Sequence, residues 1–136
     1  MLASLTTLPD FLAYLAIAIV SLLLFLRLYT WVTPHAEWQL IRQGNVAAAW
    51  ALAGATIGFS LPLASVLLNA VGYLDLIVWA IVALIVQLGA YLAVRVILAR
   101  EIKRDIEENW IGVGVLLGSV SVAVGVLNAA CLTYEP

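Results

Sequence analysis

The sequence predicts an all-α membrane protein with four transmembrane helices in a single integral membrane domain over residues 1–136. Of these residues, 65% are hydrophobic and 10% are charged, whereas soluble domains average about 45–50% apolar and about 25% charged. Four apolar stretches reach the roughly 20 residues that a helix needs to cross the hydrocarbon core. All six Lys and Arg residues lie in or beside the first and third connections between these stretches.

The predicted transmembrane helices cover residues 8–31, 46–71, 76–98 and 110–133. No Lys or Arg precedes the first of them, and its cationic end, at Arg27, lies on the wrong side for a signal peptide. We therefore expect a helix that is retained in the membrane. Pro62 removes one backbone donor from the second helix and is expected to kink it.

The positive charges predict how the helices are oriented. Arg27 and Arg42 flank the first connection, and the third carries Arg95, Arg100, Lys103 and Arg104. Basic residues in short loops mark the cytoplasmic face of a membrane protein. Both termini are therefore expected to be periplasmic, with the first and third connections in the cytoplasm.

The chain is also predicted to contain a parallel duplication of a two-helix unit, with repeat one at about 8–71 and repeat two at about 74–134. A shift of 64 residues aligns Glu37 with Glu101 and Asn45 with Asn109. Each repeat has two spans, so both would point the same way, about an axis along the membrane normal. Before the second helix of each repeat, residues 36–43 and 100–108 predict short helices lying on the cytoplasmic membrane surface.

Two asparagines follow these surface helices directly. Asn45 and Asn109 are predicted to cap the second and fourth transmembrane helices at the cytoplasmic face, by accepting hydrogen bonds from exposed backbone N–H groups. The alternative is an anion-binding site at the same helix amino termini. The polar residues of the surface helices are candidates for docking a partner: Glu37, Arg42, Glu101, Lys103 and Arg104.

Small and polar residues form one stripe on each of the second and fourth helices, within an arc of about 80° on the second. Such stripes allow membrane helices to pack closely. We expect a contact between the two stripes, with Asn69 and Asn128 hydrogen-bonded across it; the alternative is a narrow polar path or an oligomer interface. Gln87, on the third helix, is either an interhelical hydrogen-bonding residue or part of such a path. The seam or pore-lining candidates are Gly54, Gly58, Pro62, Ser65, Asn69, Gln87, Gly114, Gly118, Ser121, Gly125 and Asn128.

The sequence predicts no catalytic, metal or cofactor site. It contains one cysteine, Cys131, and one histidine, His35, so the usual zinc and haem ligand sets are missing. No span carries Asp or Glu near its centre, which argues against a proton-coupled antiporter. No nucleophile–histidine pair or phosphate-binding loop is present either, and we expect a protein that is not an enzyme.

Three passages resemble a known family: "TPHAEWQLIRQGNVAAAWALAGATIGFSLPLASVLLNAV", "WAIVALIVQL" and "LNAACLTY". They are similar to the YjfL-type bacterial inner-membrane proteins, a family of unknown function (domain of unknown function 350). The resemblance implies a four-span, multi-pass protein of the bacterial inner membrane with a duplicated two-helix unit. It also suggests neighbours that include phage-shock-type membrane-remodelling proteins and a ligase similar to glutathionylspermidine synthase.

Two functions compete at this point. The first is a non-enzymatic membrane anchor or adaptor, in an envelope-stress or membrane-maintenance system, that presents its surface helices to a cytoplasmic phage-shock-type partner. The second is an oligomeric channel or carrier for a small ion or solute, which would use the two stripes. In both, the expected partners are the lipid bilayer and further copies of the chain, and no nucleic acid.

The orientation can be tested with reporter fusions. A reporter that is active only in the cytoplasm should be silent when fused after Pro136 and active when inserted near Arg104, because the positive charges keep the third connection inside. Enzyme activity of the two fusions in whole cells measures this. The opposite pattern would overturn the predicted topology.

Overall fold

The computed structural model describes residues 5–33, 37–98 and 102–132. Within them the chain forms six helices: α1 Leu8–Val32, α2 Glu37–Arg42, α3 Val46–Asn69, α4 Tyr73–Leu98, α5 Ile102–Glu107 and α6 Ile111–Leu132. Helices α1, α3, α4 and α6 are long and apolar enough to cross a membrane. The predicted all-α class and the four spans are confirmed, with helix ends within three residues of those expected.

Helices α3 and α6 form the centre of the molecule and make its most extensive helix–helix contact among the described residues. Residue numbers rise together along this contact, so the two helices run parallel. The facing pairs are Ala47 with Gly114, Gly54 with Gly118, Gly58 with Gly125, and Ser65 with Ala129.

The backbones of α3 and α6 touch because glycine occupies the contact positions. A Cβ atom added to Gly54 would lie 2.5 Å from the carbonyl oxygen of Gly118, and one added to Gly118 would lie 2.6 Å from that of Trp50. Gly114 meets the backbone of Ala47 in the same way. Lipid tails are as apolar as the side chains, so membrane helices gain stability from such close van der Waals packing.

Helices α1 and α4 pack around this central pair. Phe25 of α1 stacks on Phe59 of α3 with ring centroids 4.5 Å apart, and also on Tyr29 at 5.8 Å. Toward the beginning of α1, the Tyr73 hydroxyl of α4 donates a hydrogen bond of 2.6 Å to Asp10. Most other residues of α1 face outward, and its buried residues are Ala18, Phe25 and Tyr29.

The short helices α2 and α5 occupy the predicted surface-helix segments, although residues 36, 100 and 101 lie outside the described ranges. Each leads into one helix of the central pair, α2 into α3 and α5 into α6. Because α3 and α6 are parallel, α2 and α5 lie at the same end of the molecule. We call this end the junction; it consists of α2, α5 and the first turns of α3 and α6.

The central contact predicts a large difference between two glycine substitutions. Gly54→Ala should destabilise the protein by about 1–3 kcal/mol or more, because the new methyl group meets backbone that cannot yield. The matched control is Gly89→Ala in α4, where nothing lies within 4 Å of the added Cβ. Thermal unfolding of the detergent-purified variants measures both. Equal stabilities would mean that α3 and α6 do not pack backbone to backbone.

Candidate functional site

Two asparagines join the two halves of the chain at the junction. The Asn45 Oδ1 atom accepts a hydrogen bond of 2.8 Å from the Ala48 N–H, and its Nδ2 donates one of 2.6 Å to the carbonyl of Ile106. The Asn109 Oδ1 atom accepts a hydrogen bond of 2.9 Å from the Ala47 N–H. Two backbone donors at the start of α3 are thus satisfied, one by each asparagine.

Asn109 was expected to cap α6, but its side chain bonds to the amino terminus of α3 instead. The reason is the local backbone after α5. Asn109 has a φ of 60° and follows α5 as Gly44, with a φ of 84°, follows α2. The N–H of each donates a hydrogen bond of 3.0 Å, to Ile106 and Ile41 respectively. Asn109 is therefore the counterpart of Gly44, and asparagine tolerates this left-handed conformation better than most residues.

The alternative of an anion site at the α3 amino terminus is not supported. Such a site requires backbone N–H groups that are free to bind a ligand. Those of Ala47 and Ala48 are engaged by Asn109 and Asn45. The junction asparagines therefore use the backbone donors that an anion site would need.

The candidate docking residues differ in exposure. Arg42, Lys103 and Arg104 are exposed, and the Arg104 guanidinium lies 3.5 Å from a carboxylate oxygen of Asp105. Glu37 was expected to be available to a partner, but it is only 1% exposed. It acts electrostatically on Tyr29 of α1 and Tyr91 of α4. Glu101 lies outside the described residues.

The predicted seam is a packed contact, and its hydrogen bonds differ from those expected. Asn69 and Asn128 do not bond to each other. The Asn69 Nδ2 atom donates to the Ser65 carbonyl of its own helix at 2.8 Å, whereas that of Asn128 donates to Ala83 of α4 at 3.4 Å. The bond across the seam runs from the Ser65 hydroxyl to the Ala129 carbonyl, at 2.9 Å.

The remaining seam candidates are placed as follows. Most of them are buried, Ser121 is half-buried, and Asn69 is exposed at the end of α3. The buried ones are Gly54, Gly58, Pro62, Ser65, Gly114, Gly118, Gly125 and Asn128. Since the two backbones touch at the glycines, no path runs directly between α3 and α6 of one chain.

Gln87 connects α4 to the central pair. It is 4% exposed, and its Nε2 atom donates a hydrogen bond of 3.2 Å to the Ser121 carbonyl of α6. Its Oε1 atom has no hydrogen-bond partner. The glutamine therefore holds two helices together and also presents an unused acceptor to the protein interior.

Sequence reasoning missed a buried polar cluster near the junction, formed by Tyr29 of α1, Glu37 of α2 and Tyr91 of α4. The two tyrosine rings meet edge to face with centroids 5.1 Å apart, and Glu37 interacts electrostatically with both hydroxyls. Exposures are 1% for Tyr29, 1% for Glu37 and 4% for Tyr91. We call this the Tyr–Glu cluster. The four-residue spacing of Gln87 and Tyr91 was visible in the sequence, but nothing there pointed from α1 or α2 toward α4.

Comparison with known proteins places the chain in a family. The family model described as "Domain of Unknown Function (DUF350)" matches residues 2–132. The chain belongs to this family. The resemblance seen in the sequence is thereby confirmed.

Curated relatives are membrane proteins named without an activity. The chain is 37% identical over 130 residues to UPF0719 inner membrane protein YjfL of Escherichia coli (strain K12), covering 96% of this chain and 98% of the relative. It is 28% identical over 119 residues to UPF0719 transmembrane protein YshE of Bacillus subtilis (strain 168), covering 87% and 89%. No solved structure matches. Together with the four apolar helices, these names fit a multi-pass inner-membrane protein.

No ligand set for a metal is found in the described ranges, where no three His, Cys, Asp or Glu side chains group together. The chemistry available at the junction consists of exposed positive charge on α2 and α5 and of the buried oxygens of the Tyr–Glu cluster. Exposed positive charge suits the binding of another macromolecule, whereas buried oxygen atoms suit the binding of a small ligand.

The role of Asn109 can be separated into its backbone and side-chain parts. Asn109→Gly keeps the left-handed backbone conformation and loses only the bond to Ala47, which should cost about 0.5–1.5 kcal/mol. Asn109→Ala should cost about 1–2 kcal/mol more, because alanine is strained at positive φ. Thermal unfolding of the purified variants would show the difference. If the glycine variant were as unstable as the alanine variant, positive φ would not matter at this position.

Proposed function

We propose that the protein is a non-enzymatic anchor or adaptor of the bacterial inner membrane that presents α2 and α5 to a soluble partner. The observation that carries this proposal is the junction itself. The parallel packing of α3 and α6 brings both short helices to one end, and the bond between Asn45 and Ile106 links the two halves there. Both short helices are thus presented at the same end of the molecule, where they form the proposed docking surface.

An apolar cluster beneath the exposed residues of α2 and α5 fixes the position of the junction helices. Ile106 of α5 is fully buried and packs in one apolar cluster with the first turns of α3, and Leu40 and Ile41 of α2 pack against the same cluster. The exposed basic residues Arg42 and Lys103 stand on this base. A preorganised surface loses little entropy on binding, which favours a docking role.

The proposal includes the orientation and the origin of this surface. The basic residues favour a cytoplasmic position for the junction, where α2 and α5 would lie along the membrane surface. The parallel packing of α3 and α6 is the arrangement that a duplicated two-helix unit would produce. Gly44 and Asn109 play matching backbone roles, which also favours a duplication.

The partner that we propose is a cytoplasmic phage-shock-type membrane-remodelling protein that offers an acidic face. Complementary charge sets the register and the association rate of such a complex. An oligomeric channel or carrier, which is the competing function, would need its path outside the contact between α3 and α6, such as between copies of the chain, because that contact is closed.

Binding to liposome-reconstituted protein tests the adaptor. We expect a purified phage-shock-type protein to bind vesicles of neutral lipid only when they contain the parent chain. Lys103→Gln with Arg104→Gln should weaken the affinity about tenfold, since losing two rim charges removes roughly 1.4 kcal/mol. The control, Glu107→Gln with Glu108→Gln, changes as many charges of the opposite sign and should bind at least as well as the parent.

Two results would contradict this function. Equal affinity for the parent and the Lys103/Arg104 variant would remove the basic surface from the interaction. Absence of binding, combined with solute flux into vesicles that contain the parent protein, would favour the oligomeric channel.

A further inference from the structure

Among the described residues, three oxygen atoms of neutral side chains are buried without a hydrogen-bond partner. They are the hydroxyl oxygens of Tyr29 and Tyr91 and the Oε1 atom of Gln87. All three side chains are at least nine-tenths buried, with exposures of 1%, 4% and 4%. Two of them, Gln87 and Tyr91, are one turn apart on the same face of α4.

Buried polar groups nearly always have partners in folded proteins. Where the protein supplies none, the partner is a bound water molecule or an ion. Two unpartnered hydroxyls on contacting rings from different helices therefore indicate a position where a small ligand binds. The Tyr–Glu cluster differs in this respect from the seam, where Ser65 and Asn128 have found carbonyl partners.

The charge near this position selects the kind of ligand. Glu37 is 1% exposed and interacts electrostatically with both tyrosine hydroxyls. A negative carboxylate disfavours an anion and favours a cation. Arg95 also acts on Tyr91, but its side chain is exposed at the end of the span.

We propose that the Tyr–Glu cluster is a binding site for a monovalent cation. The Glu37 carboxylate supplies the negative charge, and the hydroxyl oxygens of Tyr29 and Tyr91 supply neutral ligands. Oxygen atoms are the ligands that hard cations take, and the faces of aromatic rings also attract cations. This site is separate from the exposed basic surface proposed for the partner.

A single positive charge fits better than two. Divalent cations such as calcium usually bind several carboxylates within a larger oxygen shell. Glu37 is the acidic member of the cluster, and no group of three acidic, histidine or cysteine residues occurs in the part of the chain that the structure describes. Burial also means that a bound ion gives up much of its water, so the site should discriminate between ions of different radius.

Thermal unfolding of the purified full chain in different salts tests the site. At equal ionic strength, we compare sodium, potassium and ammonium chloride with N-methyl-D-glucamine chloride, whose cation is too large to enter. One of the small cations should raise the Tm by several degrees in a saturable way, because a ligand that binds the folded state stabilises it. Glu37→Gln should abolish this shift, whereas Glu107→Gln, at an exposed glutamate on α5, should retain it.

Tyr91→Phe and Tyr29→Phe provide a second measurement if Glu37→Gln does not fold. Each removes one oxygen ligand and keeps the ring, so the cation-dependent rise in Tm should shrink. In N-methyl-D-glucamine chloride the phenylalanine variants should be as stable as the parent or more so, because a buried unpartnered hydroxyl has been removed.

Two results would overturn the proposal. The first is an identical Tm of the parent in all four salts. The second is destabilisation of the phenylalanine variants by the same amount in every salt, which would show that the hydroxyls hold only water.

Discussion

The direct backbone contact between α3 and α6 is the constraint on which the rest of the structure depends. A membrane offers little hydrophobic drive between helices, so their association depends on how closely they approach. Glycine at positions 54 and 118 allows the closest approach available. This contact makes the two helices parallel, gathers α2 and α5 at one end, and brings α6 within reach of Gln87 on α4.

The hydrogen bonds between the helices in the interior depend on this contact. Once α3 and α6 touch, two hydrogen bonds join α4 to α6 in opposite directions: Gln87 of α4 donates to the Ser121 carbonyl of α6, and Asn128 of α6 donates to the Ala83 carbonyl of α4. At the junction the asparagines exchange bonds between the halves in an asymmetric way, since Asn45 caps its own helix and Asn109 bonds to the other half. The two asparagines thus have different roles at the junction.

The sequence was sufficient to predict the features that depend on composition and on the spacing of residues along a helix. Four apolar runs predicted the spans, and the small-residue stripes marked the faces where α3 and α6 meet. It failed where an outcome depended on a shift of a single residue or on a neighbour from another helix. Asn109 lies in the left-handed turn one residue before the position that would cap α6, and its side chain bonds to α3 instead. Glu37 looked like a solvent-facing residue of a polar helix, because no residue near it in the sequence indicated that it is buried close to Tyr29 and Tyr91. Asn69 and Asn128 were on the right stripes, but carbonyls closer than the opposite amide became their acceptors.

The separation in sequence between the members of the central contact governs how the molecule can assemble during synthesis. Gly54 and Gly118 are 64 residues apart (118 minus 54), and α4 and α5 are made between them. When α3 enters the bilayer, its glycine face has no partner. This face stays unpacked until α6 has been translated and inserted. During that interval the face is open to a second nascent chain, whose α3 carries the same small residues. Slow translation through α5 would lengthen this exposure, and the yield of correctly assembled protein should therefore depend on how quickly the second half follows the first.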